Sequence, residues 1–227
     1  MRANGDWIAI YSRKSKFTGK GESIGNQVEL CKEYVRNMFG EKYADRCVVF
    51  EDEGFSGGNL KRPELAEYET LDLLEDPWYL ARNASITAHC ALELALAKLP
   101  ITLEKCPVLI VGWGRIGKCL AKLLHGLGAC VTVAARKESR RVMIDALGYQ
   151  SCAIEDIRTE KYRLIINTVP AMVLPAAPGT ALKMDLASVP GIGGKDVMQA
   201  RGLPGKLAPE SSGTLIAQTI TQWIKEK

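Results

Sequence analysis

Three glycines and a basic cluster downstream of them are the residues whose type and spacing could do chemistry. Gly112-Trp-Gly114-Arg115-Ile116-Gly117 has the spacing G-x-G-x-x-G. The first glycine allows a tight turn, the second lets the backbone approach a pyrophosphate, and the third lets a helix pack closely on a strand. A diphosphate there would meet the free N–H groups and positive dipole end of the helix that follows. Further on, where a carboxylate would hold a ribose 2′-hydroxyl, the chain reads Ala135-Arg136-Lys137, with Ser139, Arg140 and Arg141 close behind. A guanidinium binds a 2′-phosphate bidentately and a carboxylate repels it. The pattern therefore favours NADP over NAD, although cations there could equally do no more than solvate a helix start.

The elements around the glycines have the order such a site needs. Val108-Leu-Ile-Val111 is an apolar strand running into Gly112. The helix after it carries Ile116, Cys119, Leu120, Leu123, Leu124 and Leu127 on one face, and Cys130 to Ala135 forms a second strand. Alternation continues with a helix over 142–147, a strand over 149–153, a short acidic helix over 154–161, and strands over 164–170 and 182–188. A last strand over 197–201 is in doubt. Ligands of doubly wound sheets lie outside the carboxyl ends of the strands. Asn167, Thr168, Val169, Pro170 and Asp185 are therefore expected at the nicotinamide half of the crevice, with Ser188 nearby. Asn167 and Asp185 serve equally well as caps of their own loops. The fold class is α/β, a Rossmann-type doubly wound parallel sheet.

Upstream, residues 83–99 read as a helix apolar nearly all round, hence buried, ended by Pro100. His89 on it is read as a helix residue rather than a catalytic acid. Residues 7–11 and 47–50 read as strands flanking a helix that Ser23 can cap. Its apolar positions are Ile24, Val28, Cys31, Val35 and Met38, and Gly40 stops it. This βαβ segment cannot close a parallel sheet alone.

The bulk numbers exclude several classes. A chain of 227 residues, 47% hydrophobic and 25% charged, is an ordinary globular composition. A net charge of +4 is too mild to argue for nucleic acid or an acidic substrate. Seven cysteines without a C-x-x-C pair, and two histidines, argue against a disulfide framework and against a metal site. Met1-Arg-Ala-Asn-Gly-Asp6 lacks the apolar core of a signal peptide, and no apolar run reaches the roughly 18–20 residues of a membrane span. The expectation is a cytoplasmic protein with no membrane association.

Tyr11-x-Arg13-x-Ser15, Ser23-Ile-x-Asn-Gln27, Asp52-Glu-Gly-x-Ser56-Gly and Arg62-Pro63-Glu resemble the start of a serine recombinase catalytic domain. The large, transposon-borne members of the resolvase/invertase family match best. The resemblance implies that Ser15 corresponds to the nucleophile that attacks a DNA phosphodiester and that Arg13 helps hold the phosphate. A serine hydroxyl is a weak nucleophile and needs such cations to stabilise the developing charge. The family's next motif, an apolar strand ending Leu-Asp-Arg, should follow Arg62-Pro63. The chain instead reads Leu65-Ala-Glu-Tyr-Glu. Ser15 is accordingly read as a vestigial loop residue, with DNA a partner only if this segment is functional.

A second resemblance covers about 80–227. Asn83-x-Ser-Ile-Thr-Ala, Gly112-Trp-Gly-Arg-Ile-Gly, Val131-Thr-Val-Ala-Ala-Arg-Lys, Ile166-Asn-Thr-Val-Pro-Ala, Asp185-Leu-Ala-Ser-x-Pro-Gly and Gly202-Leu-Pro-Gly-x-x-Ala-Pro-x-x-Ser-Gly213 occur in order. They resemble the nucleotide-binding part of the A-type subunits of dipicolinate synthase, a family of sporulation proteins. The resemblance implies NAD(P)-dependent oxidation of a dihydrodipicolinate-type precursor to dipicolinate, with a partner like the B-type dipicolinate synthase subunits. It also implies that the family's N-terminal substrate domain is replaced here, which would impair turnover. Also open are a homo-oligomer and a non-catalytic nucleotide-binding subunit. The expected organisation is a truncated recombinase-like segment at 1–66, a junction at 67–82 and a nucleotide-binding domain at 83–227.

Overall fold

The computed structural model describes residues 8–14, 24–53 and 72–226. The chain divides between Asp72 and Leu73 into two compact units.

In the first unit, β1 (Ile8–Lys14) and β2 (Cys47–Glu53) pair in parallel, with Ile8 opposite Cys47 and Lys14 opposite Glu53. Both strands run past the ends expected at Tyr11 and Phe50. Between them lie α1 (Ile24–Phe39) and the short α2 (Glu41–Ala44), separated by Gly40 at φ 96°. Gly40 ends the first helix as the sequence suggests, but a further turn forms beyond it. Val28 and Val35, two turns apart, are buried, and Val28 packs on Cys47 and Val49. Arg13 stands opposite Asp52 in the strand register. Ser15 and the expected Ser23 cap lie outside the described residues.

The second unit's first helix is α3 (Pro77–Lys98), which starts six residues ahead of the expected Asn83. Pro77 occupies the first turn, where a missing N–H does no harm, and the Asp76 side chain accepts from the Tyr79 N–H at 2.6 Å. A proline that reads as a junction is thus a helix start. Ala84, Ala88, Ala91 and Ala95 form the buried stripe of α3, which lies against α4. The opposite side is open, with Leu96 47% exposed, so the helix is not buried all round.

From there β3 (Pro107–Val111), α4 (Arg115–Gly126), β4 (Cys130–Ala134), α5 (Glu138–Ala146), β5 (Gln150–Cys152), β6 (Leu164–Asn167), β7 (Leu182–Asp185), β8 (Val197–Gln199), α6 (Leu203–Leu207) and α7 (Pro209–Lys225) follow. The six strands are ordered β5-β4-β3-β6-β7-β8. All are parallel. The topology therefore reverses between β3 and β6, and the ligand crevice of this fold opens there. The doubtful last strand exists, as the edge strand β8.

Alternate residues of the strands build two cores. Val108, Ile110, Val133 and Ile166 face α3 and α4 with Leu120 and Leu124, while Leu109, Val111 and Ile165 pack on Leu174, Ala177 and Ile192. Cover on both faces explains why β3 and β6 read as unbroken apolar runs. The acidic helix expected over 154–161 is instead two 3-10 turns, Ile154–Asp156 and Thr159–Lys161. Ile154 and Ile157 both pack into the second core, and their spacing of three suits the tighter turn. Helix α5 starts at Glu138 rather than Val142. Among the described residues, no helix is long and apolar enough to cross a membrane.

Candidate functional site

The three glycines of the β3–α4 turn stand in different situations. Gly112 adopts φ 106°, and a Cβ there would come within 2.6 Å of Thr168 Oγ1 and 2.8 Å of Val169 Cγ2. A Cβ on Gly117 would lie 2.2 Å from the Gly112 carbonyl oxygen. The fold itself demands these two. Gly114, the N-cap of α4, has no atom within 4 Å of its Cβ position. Among the described residues no side chain caps α4, so the first N–H groups at Arg115 and Ile116 have no side-chain acceptor there. Trp113, between the first two glycines, turns inward and meets Tyr149 edge-on at 5.9 Å.

The floor of the crevice is stitched by Thr168. Its N–H and its hydroxyl both donate to the Val111 carbonyl, each at 3.0 Å, joining the ends of β6 and β3. Two cavities meet over this floor and share Trp113, Gly114 and Thr168. The smaller, about 200 Å³, is walled by Gly112, Ala135, Arg136, Lys137, Arg140 and Val169. The larger, about 530 Å³, lies between α3 and the start of α4, with Asn83, Arg115, Ile116 and Lys118 on its walls.

Of the basic residues singled out in the sequence, Arg136, Lys137 and Arg140 share the smaller cavity. Arg141 does not join them. It donates to the carbonyls of Ala135 at 2.8 Å and Arg136 at 2.9 Å, so it fixes the loop that carries the others. Asn167, Pro170 and Asp185 line neither cavity. Asn167 and Asp185 are fully buried. One Asp185 oxygen accepts from Asn167 Nδ2 and the Ala187 N–H, the other from the N–H groups of Gly191 and Ile192. Asn167 also exchanges two hydrogen bonds with the Val169 backbone, at 3.0 Å each. Both side chains are engaged in holding their loops, the second of the two roles open from sequence.

His89 keeps to its own helix, with Nδ1 2.9 Å from the Ser85 carbonyl. Burial pushes the thiols of Cys90, Cys106 and Cys152 up from the usual range, which favours their protonated form. Among the described residues, no group of His, Cys, Asp and Glu could hold a metal. Three charged or amide-bearing residues on the cavity walls, Asn83, Lys118 and Arg140, are not singled out by sequence as site residues. Arg140 is visible only as part of the basic run, and Lys118 only as the residue after Gly117. Nothing in the local pattern of α3 marks Asn83 as facing a cavity.

The topology and glycine turn narrow the comparison to nucleotide-binding α/β proteins. Over most of its length the chain matches the A-type subunits of dipicolinate synthase. That of Bacillus subtilis (strain 168) is 28% identical over 198 residues, covering 79% of this chain and 65% of its own. The chain thus spans just under two thirds of that curated relative. Among solved structures, the corresponding dipicolinate synthase chain from Bacillus halodurans superposes with a TM-score of 0.67 at 23% identity, covering 96% of this chain and 79% of that one. Its counterpart from Bacillus subtilis gives 0.68 at 22% identity, with 97% and 78% covered. Both superpositions share the fold. All three matches cover more than the second unit alone can supply, so they reach upstream of the 80–227 span read from the motifs. Residues 8–76 also match the family described as Resolvase, N terminal domain.

Proposed function

We propose that the second unit binds a dinucleotide, NADP in preference to NAD, as the nucleotide-binding part of an oxidoreductase resembling the A-type subunits of dipicolinate synthase. The observation that carries this reading is Gly114. Its neighbours in the motif are glycines for internal reasons, whereas Gly114 leaves bare backbone at an uncapped helix start, facing a cavity. That is what a diphosphate requires. The N–H groups of Arg115 and Ile116 would hold the diphosphate, and Arg136, Lys137 and Arg140 the 2′-phosphate. Bound there, the dinucleotide supplies a hydride acceptor or donor. The chain's part is to orient the ring and to exclude water between α3 and the glycine turn.

The reaction we assign is oxidation of a dihydrodipicolinate-type precursor to dipicolinate, with a partner like the B-type dipicolinate synthase subunits. Recombinase-like motifs occupy the region of the substrate domain, so we read turnover as impaired. A non-catalytic nucleotide-binding role is the form the protein takes if turnover is lost altogether. Strand exchange by Ser15 and Arg13 draws support from the match at residues 8–76, against the absence of the Leu-Asp-Arg motif. Fluorescence titration with NADPH and NADH tests the main reading. Tighter NADPH binding, weakened about tenfold by Arg136→Ala, is expected; a tenfold change is about 1.4 kcal/mol, close to the low end for one charge-assisted hydrogen bond. Failure to bind either dinucleotide overturns it.

A further inference from the structure

We infer that Asn83, on the α3 wall of the larger cavity, pairs with the carboxamide of the bound dinucleotide and so fixes the orientation of its reactive ring. The inference rests on the cofactor reading above.

The argument starts from two asparagines in unlike situations. Asn167 is fully buried and its amide is engaged on both sides, donating to Val169 and Asp185 and accepting from the Val169 N–H. Asn83 is half-buried and lines a cavity of about 530 Å³. Among the described residues, no hydrogen bond reaches its side-chain amide. Only its backbone carbonyl is used, accepting from Thr87 Oγ1 at 2.7 Å. Leu80 and Ala84, beside it on the same wall, are apolar, so Asn83 is the polar group that α3 offers to this cavity. Polar side chains on such walls are matched when the site fills.

The chemistry of the match follows from what each wall can do. Arg115 and Lys118, on the α4 side, supply positive charge, and among the described residues no acidic one lines this cavity. Phosphates are therefore served from α4. A carboxamide presents a donor and an acceptor side by side and is best satisfied by a group that does the same. The nicotinamide end of the dinucleotide carries such a group, and two carboxamides close a reciprocal pair of hydrogen bonds. The basic residues of the smaller cavity hold the other end of the molecule, and the two cavities join at Gly114. The nicotinamide end then falls in the larger one. A carboxylate of the reacting molecule would take donors alone and leave the Asn83 carbonyl oxygen unmatched.

The test compares three ligands on the full chain and on Asn83→Leu and Asn83→Ala. They are NADPH, its reduced 3-acetylpyridine analogue (a methyl ketone in place of the amide), and 2′-phospho-ADP-ribose, which lacks the nicotinamide. Wild type is expected to prefer NADPH over the ketone about tenfold, roughly one hydrogen bond. Both variants should lose about tenfold toward NADPH and bind the two alike. Unchanged affinity for 2′-phospho-ADP-ribose shows that they remain folded. A variant that keeps the wild-type preference overturns the inference. So does a variant that binds NADPH normally but loses affinity for pyridine-2,6-dicarboxylate in the loaded protein, since Asn83 would then serve the reacting molecule. If wild type binds none of the three, it is the cofactor reading that has failed, and the inference falls with it.

Discussion

The two wings of the central sheet treat their polar groups in opposite ways. Beyond β3, on the β4–β5 side, Arg136, Lys137 and Arg140 are exposed, and among the described residues none forms an ion pair. From the end of β6 onward, on the β7–β8 side, Asn167, Asp185 and Lys183 are buried and hydrogen-bonded. Asp185 takes four donors, and Lys183 pairs with Asp196 while donating to the Gly179 carbonyl at 3.1 Å. The first wing leaves these three charges without an ion-pair partner among the described residues. The second uses its polar groups to hold loops in place where this family of folds usually has helices. Polar residues at the ends of strands are therefore not equivalent evidence of function. What separates them is whether their hydrogen-bonding capacity is already used.

The largest effect expected of any substitution is at Asp185. Asp185→Ala strands four buried donors and should cost about 3–5 kcal/mol in urea unfolding, the upper range for single changes. A loss below about 1 kcal/mol would mean the second wing is not held as described. Gly117→Ala drives a methyl into the Gly112 carbonyl and should cost about 1–3 kcal/mol, with NADPH binding lost as the turn shifts. Gly114→Val reverses that pattern. Its side chain enters open space, so stability should stay within about 0.5 kcal/mol, while NADPH affinity drops at least tenfold. If Gly114→Val binds normally, the first wing has no diphosphate site.

The smallest effect is a pH dependence. A hydrogen bond from the buried Lys183 ammonium holds the Asp196 carboxyl below the usual carboxylate range. A depressed folded value contributes stability that is complete above the unfolded value, about 4, and fades as pH falls through the folded one. Melting temperatures of wild type and Asp196→Asn should therefore differ at pH 6 and converge as the pH falls below the unfolded value of about 4. A gap that is constant with pH would rule out this pair as the cause.

Much of this is legible in the chain. The glycine turn, β3, β4 and the hydrophobic face of α4 follow from spacing alone, because a sheet covered on both faces and a helix on it leave unmistakable periods. The start of α3 is hidden because Pro77 is both a helix breaker inside a helix and a good first residue of one. The 3-10 turns at Ile154 and Thr159 are hidden because an acidic run with apolar residues three apart fits a helix equally well. At the site, Arg136 and Lys137 are visible by type. The loop-holding work of Asp185 depends on backbone N–H groups of Gly191 and Ile192, which no sequence pattern exposes. Asn83 is hidden for a similar reason: that its side-chain amide makes no hydrogen bond among the described residues is a fact of packing, which no pattern in α3 exposes.

The Arg141 fork over the Ala135 and Arg136 carbonyls bears on kinetics as well as geometry. With that loop already tied down by the protein's own guanidinium, little segmental ordering is left for an arriving anion to accomplish. Association at this end should be a single fast phase set by diffusion and charge, rising as salt is lowered. Arg141→Ala would keep Arg136, Lys137 and Arg140, yet it should introduce a slower, salt-independent step in NADPH binding as the loop is left to order with each encounter.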